Sequence, residues 1–212
     1  EEPIITITGV SGATARAYGP TSVQMITAES DIEIFAGENL NLLTKVHTVS
    51  GDIKVFSKTG DLDLSADTLL LSTETGKVEV VADKGATKVY QIGAAGDVSI
   101  AAYDGLDVLE SVSSEAGGIS LGSRNGEMDL RHLNAQGDIQ LASFQTTTIF
   151  GEALSREGSI LTTSEAAGIF LDANLVAENG RIGLSAQTFV EQFKGTGIYE
   201  FEVVQKGRSL EE

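Results

Sequence analysis

The residues best equipped for chemistry in this sequence are carboxylates set in a rhythm. Asp52, Asp61, Asp97 and Asp138 each follow a glycine, and Asp63, Glu79 and Asp107 sit between apolar residues in short alternating runs. Stacked in register, such side chains would form a ladder of like charges that either attracts cations or stays hydrated. Two chemistries could use it: oxygen-ligated calcium sites, or a carboxylate pair that cleaves glycosidic bonds. The plainer reading is that Asp suits turns and solvated strand faces. Two absences favour that reading. The calcium-roll repeat G-G-x-G-x-D is missing. The repeat region is also poor in the Arg, Lys, His and aromatic side chains that sugar sites employ, with no Trp at all. We therefore expect no catalytic, cofactor-binding or metal-ligating residues, with calcium as the secondary expectation.

Other motifs point the same way. His47 and His132 are far apart and no second histidine lies near either, so zinc patterns such as H-E-x-x-H are missing. His132, in MDLRHLN, reads as an exposed strand residue. There is no G-x-S-x-G elbow and no phosphate-binding G-x-x-x-x-G-K-[ST] loop. GGISLG at 117–122 resembles a nucleotide loop only superficially, since no helical pattern follows it.

The elements that carry these residues are repeats. Gly76, Gly96, Gly117, Gly137, Gly158 and Gly180 are spaced 20, 21, 20, 21 and 22 apart. Alternating units follow them: GKVEVVA, GDVSIAA, GGISLGS, GDIQLAS, GSILTTS and GRIGLSA. Period-2 alternation puts the apolar side chains on one face of a strand. A small residue, Ala or Ser, usually stands two places beyond the second apolar position. A second series interleaves: Gly105, Gly126 and Gly168 open GLDVLES, GEMDLRH and GIFLDAN, and its missing member falls at Thr147 in TTTIFGE. Upstream, SDIEIFAG, ENLNLLTK, SGDIKVFS and TGDLDLSA continue the rhythm near ten residues. Glycine at these openings fits turns that need positive φ.

A lone unit of ~21 residues cannot bury its apolar face, but stacked units bury it continuously. The expected fold is all-β, a parallel β-helix (β-solenoid) of ~21-residue coils with two ~10-residue strand units each. About eight coils would make a rod near 40 Å long. An antiparallel β-sandwich also has strands every 8 to 12 residues, yet has no reason to repeat G-D-I-x-L at constant spacing. Residues 22–187 carry the repeat. Residues 1–21 read as a lead-in cap with one strand-like run, Ile4 to Thr8, followed by a loop. Residues 188–212 read as a C-terminal cap or interface segment and polar tail. Four aromatics, Phe189, Phe193, Tyr199 and Phe201, are its candidate cap or interface residues.

Composition limits the partners. With 14 Lys and Arg against 31 Asp and Glu, the net charge of −17 disfavours nucleic acid and anionic lipid. No apolar run reaches 18 residues, so no direct membrane insertion is expected in this segment. The absence of Cys removes disulfides and thiolate metal sites.

GDIQLAS, GDVSIAA and ENGRIGLSAQ resemble the haemagglutinin-type repeats of filamentous adhesins exported by two-partner secretion. That resemblance implies a right-handed parallel β-helix at the bacterial surface, acting in adhesion, with this chain an interior segment. The ten-residue rhythm is also similar to trimeric β-helical phage spikes and to sarcoglycan ectodomains, in which three chains share one core. The expected role is a non-catalytic, extracellular or cell-surface rod for attachment or display. Its partners would be a receptor, a glycan or further copies of itself, including a homotrimer. A subunit of an intertwined trimeric spike or fibre is the second reading, and a glycan-cleaving β-helix enzyme the third.

Overall fold

A computed structural model describes residues 4–72, 76–187, 190–191, 194–196 and 199–203. Every described element is a strand, and every strand pair is parallel. The chain is a β-solenoid. Strands alternate between two sheets, so that each coil contributes one long and one short segment. The long segments are β1 (Ile4–Val10), β3 (Thr21–Ala28), β5 (Leu40–Thr48), β7 (Leu62–Ser72), β9 (Thr87–Ala94), β11 (Leu106–Ser114), β13 (Met128–Leu130) with β14 (His132–Ala135), β16 (Thr147–Ser155), β18 (Ile169–Ala177), and β20 (Val190–Glu191) with β21 (Lys194–Thr196). The short ones are β2 (Ala13–Ala17), β4 (Ile32–Ala36), β6 (Ile53–Ser57), β8 (Val78–Ala82), β10 (Val98–Ala102), β12 (Ile119–Ser123), β15 (Ile139–Ser143), β17 (Ile160–Ser164), β19 (Ile182–Ala186) and β22 (Tyr199–Val203). Each described coil is completed by one chain.

The long strands are creased. In β5 and β16 two inward residues are followed by three exposed ones and then two inward again. The same crease splits one coil into β13 and β14. It turns one sheet into two strips, so the cross-section has three walls. This refines the expected two strand units per coil. Period 2 accounts for each wall but not for the corner between them.

The interior is made of columns. On the short strands Ile32, Ile53, Val78, Val98, Ile119, Ile139, Ile160 and Ile182 stack one above another, all essentially unexposed. Two residues on, Ile34, Val55, Val80, Ile100, Leu121, Leu141, Thr162 and Leu184 form a second column. The third inward position is the small residue noted in the repeat: Ala36, Ser57, Ala82, Ala102, Ser123, Ser143, Ser164 and Ala186. It stands at the corner, where the chain turns and little volume is left.

The serines at the corners do more than fill space. Ser57, Ser114, Ser123 and Ser155 each accept a hydrogen bond from the backbone N–H of the glycine three residues later, at 3.3, 3.0, 3.2 and 3.1 Å. The Ser114 and Ser155 hydroxyls donate in turn to the carbonyls of Gly96 and Gly137 in the preceding coil, at 2.7 and 2.8 Å. An S-x-x-G sequence therefore caps its own turn, and in these two coils it also ties that turn to the coil beneath. Turns leave backbone groups that would otherwise be buried without partners.

The turn glycines need a different explanation from the one drawn from sequence. Only Gly51 (φ 126°) and Gly151 (φ 84°) have positive φ among the described residues. Close stacking demands several of the others instead, among them Gly117, Gly126, Gly158 and Gly180. A Cβ on Gly117 would lie 2.6 Å from the backbone nitrogen of Asp97, and one on Gly126 would collide with the carbonyl of Asp104. At Gly117 and Gly126 the neighbouring turn passes too closely for any side chain.

Both ends of the expected repeat are extended by parallel pairing. Residues 13–17, read as loop from sequence, form β2, which bonds to β4. The segment ATARA has only Ala to place inward, so its apolar signal is faint. At the other end β20 and β21 pair with β18, and β22 pairs with β19.

Candidate functional site

The repeat's carboxylates separate into three places. Asp52, Asp97 and Asp138 lie at the turn that precedes the short strands. Asp61, Asp63 and Asp107 lie at or beside the other turn. Glu79 stands on the outer face of the short strands, between Lys54 and Ser99 in neighbouring coils.

The first group is engaged in holding coils together. Asp31 accepts the backbone N–H of Asp52 at 2.9 Å, and Asp52 accepts that of Lys77 at 2.9 Å. Asp97 accepts Gly118 N–H at 3.0 Å and Asp138 accepts Ser159 N–H at 2.7 Å. At the opposite turn Asn39 serves Asp61 N–H and Asp61 serves Ala86 N–H, at 3.0 and 2.9 Å. One carboxylate oxygen thus satisfies the amide that opens the next coil's strand. The Gly118 N–H, reinforced by Lys77 with its Nζ 3.1 Å away, holds the Asp97 carboxyl below the ordinary carboxylate range. The recurring Asp is an inter-coil staple, which explains why it follows the turn.

The second group lines an open groove of about 590 Å³ running across several coils. Its acidic members are Asp61, Asp63, Asp104, Asp107, Glu127 and Asp129, with Lys88 the one cation among its lining residues. On its floor Asp63, Lys88, Asp107 and Asp129 occupy one outward column in consecutive coils. Lys88 Nζ lies 3.9 Å from Asp107 Oδ2. Partial burial pushes the Asp107 carboxyl up, Asp129 pushes it further, and Lys88 pulls it back. Asp107 is therefore held above the ordinary carboxylate range by its place on the groove floor. Asp104, Glu127 and Asp129 were not singled out from sequence. Asp129 was legible in principle, because Met128 and Leu130 flank it as Leu106 and Val108 flank Asp107.

Among the described residues there is no group of three or more His, Asp or Glu side chains placed to hold a metal ion. The two histidines stay apart. His47 is half-buried on β5, and His132 is exposed on β14, where its ring lies against Gly151. Phe189 and Phe193 fall outside the described residues. Of Tyr199 and Phe201 only the backbone position on β22 is described.

The fold and these staples define a β-solenoid repeat protein. Comparison with protein-family models, with curated proteins and with solved structures gives no match.

Proposed function

We infer that the chain is a non-catalytic rod that carries attachment or display at a cell surface. One observation carries the reading. Two parallel sheets of twelve and ten strands run the length of the described chain, with the same inward columns in coil after coil. Continuous columns and inter-coil staples favour stiffness and resistance to proteases, because no coil opens without unpairing its neighbours. The likeness of GDIQLAS and its relatives to filamentous-adhesin repeats supports an extracellular setting and a receptor or glycan partner. Small-angle scattering and sedimentation test the rod: ten coils at ~4.8 Å predict a particle of about 45 Å in its long dimension, and a spherical profile overturns the reading.

The groove favours a second reading, glycan cleavage, through the raised carboxyl of Asp107. Screening acidic and neutral glycans with the native chain and with Asp107→Asn tests it. Cleavage that Asp107→Asn abolishes would replace the rod reading, and an absence of cleavage would end this one.

A further inference from the structure

The wall formed by the short strands differs from the rest of the surface. Its outer face carries two columns, and each changes character halfway along the rod. In one column the bulk lies toward the N-terminal end, at Phe35, Phe56 and Val81, and the other half is small, at Ala101, Gly122 and Ala142. Phe35 and Phe56 are stacked, with ring centroids 5.3 Å apart and planes at 12°. In the other column Glu33, Lys54 and Glu79 carry charge, whereas Ser99, Ser120 and Gln140 carry none.

We propose that this wall is a self-association surface, where two copies of the chain pack face to face about a two-fold axis parallel to the strands. Such an axis reverses the order of coils and sets each column opposite itself. Centred between β8 and β10, it places Phe35 over the partner's Ala142, Phe56 over the partner's Gly122, and Val81 over the partner's Ala101. Every large side chain meets a small one. The same axis sets Glu33 against Gln140, Lys54 against Ser120 and Glu79 against Ser99. Each charge meets a neutral group able to hydrogen-bond, and no like charges are opposed. In a chain of net charge −17 most approaches between copies are repulsive, whereas on this face the outward Arg16, Glu33, Lys54 and Glu79 cancel, so charge does not oppose contact there.

Area sets the strength. Eight strands, β2 to β17, give a face of about 38 Å by about 17 Å, or roughly 650 Å² per copy. A standard stable interface takes about 800 Å² per partner. The dimer is therefore reversible and concentration-dependent. The inference needs only the fold and holds whether or not the rod is adhesive.

Sedimentation velocity on the native chain from about 1 µM to about 1 mM tests it. Two substitutions then read the register. Ser120→Glu faces the partner's Lys54 and should tighten the dimer; Gln140→Glu faces the partner's Glu33 and should weaken it. Each contact occurs twice, so shifts of about threefold to tenfold are expected, in opposite directions. Both positions are exposed and outward, so thermal melting should be unchanged. A monomer throughout, a trimer, or two variants that shift association in the same direction would each overturn the proposal.

Discussion

Thr162 offers a direct test of how dry the solenoid interior is. It occupies the second inward column between Leu141 and Leu184, is 1% exposed, and its hydroxyl has no hydrogen-bond partner. The same position is aliphatic in the flanking coils. An unpaired hydroxyl removed from water costs ~1–3 kcal/mol. Thr162→Val keeps the branched shape and replaces that hydroxyl with a methyl, so stability should rise by about 1–3 kcal/mol. At ~2–4 °C per kcal/mol for a chain of this size, melting should shift up by roughly 2–12 °C. Circular dichroism melts measure this, and hydrogen exchange at β15, β17 and β19 shows whether the gain is local, since repeat arrays need not unfold in one step. Thr147 supplies the opposite case. Its hydroxyl is 2.7 Å from that of Ser143, so Thr147→Val should cost ~0.5–1.5 kcal/mol. If Thr162→Val is neutral or destabilising, the claim that this column is dry and its hydroxyl unsatisfied is wrong.

Further outcomes follow from the turns and the groove. Ser114→Ala removes both the cap on Gly117 N–H and the tie to Gly96, and should cost ~1–3 kcal/mol in denaturant titrations. Gly126→Ala should destabilise by more than an ordinary surface change, because its Cβ would collide with the Asp104 carbonyl. Asp97 has a lowered carboxyl in the folded chain, so its stabilisation is present above the unfolded value and fades as pH falls through the folded one. The advantage of native over Asp97→Leu in urea midpoints should therefore shrink between neutral pH and about pH 2. Asp107 has the reverse sign. Its raised carboxyl means that ionisation disfavours the fold above the unfolded value, so Asp107→Asn should stabilise at neutral pH by a few tenths of a kcal/mol after solvent screening and make no difference in acid.

The repeat was legible from residues alone because a strand wall writes itself in period 2. Val98 and Ile100, Ile119 and Leu121, and Ile139 and Leu141 announce the same inward face at constant spacing, and parallel stacking is the arrangement that buries all of them. The missing glycine read at Thr147 is one place off: Thr147 pairs with Ile169 as the first inward residue of β16, so Thr146 stands where Gly168 does. The alternating pattern also reveals which residues face out, so Asp63, Glu79 and Asp107 group as outward; Asp63 and Asp107 do share one column, but Glu79 stands on the other sheet.

Tertiary structure decided what adjacency across coils determines. The corner crease puts three exposed residues in the middle of a long strand, and no local rule distinguishes that from a loop. The role of turn glycines such as Gly117 and Gly126 came from the neighbouring coil's backbone rather than from their own φ. The turn aspartates looked like a potential ligand ladder, but each staple depends on an amide about 21–25 residues away. Only the stack could show where that amide lies. Asp61, Asp104 and Glu127 share one groove for the same reason: coil register, not sequence distance, brings their carboxylates together.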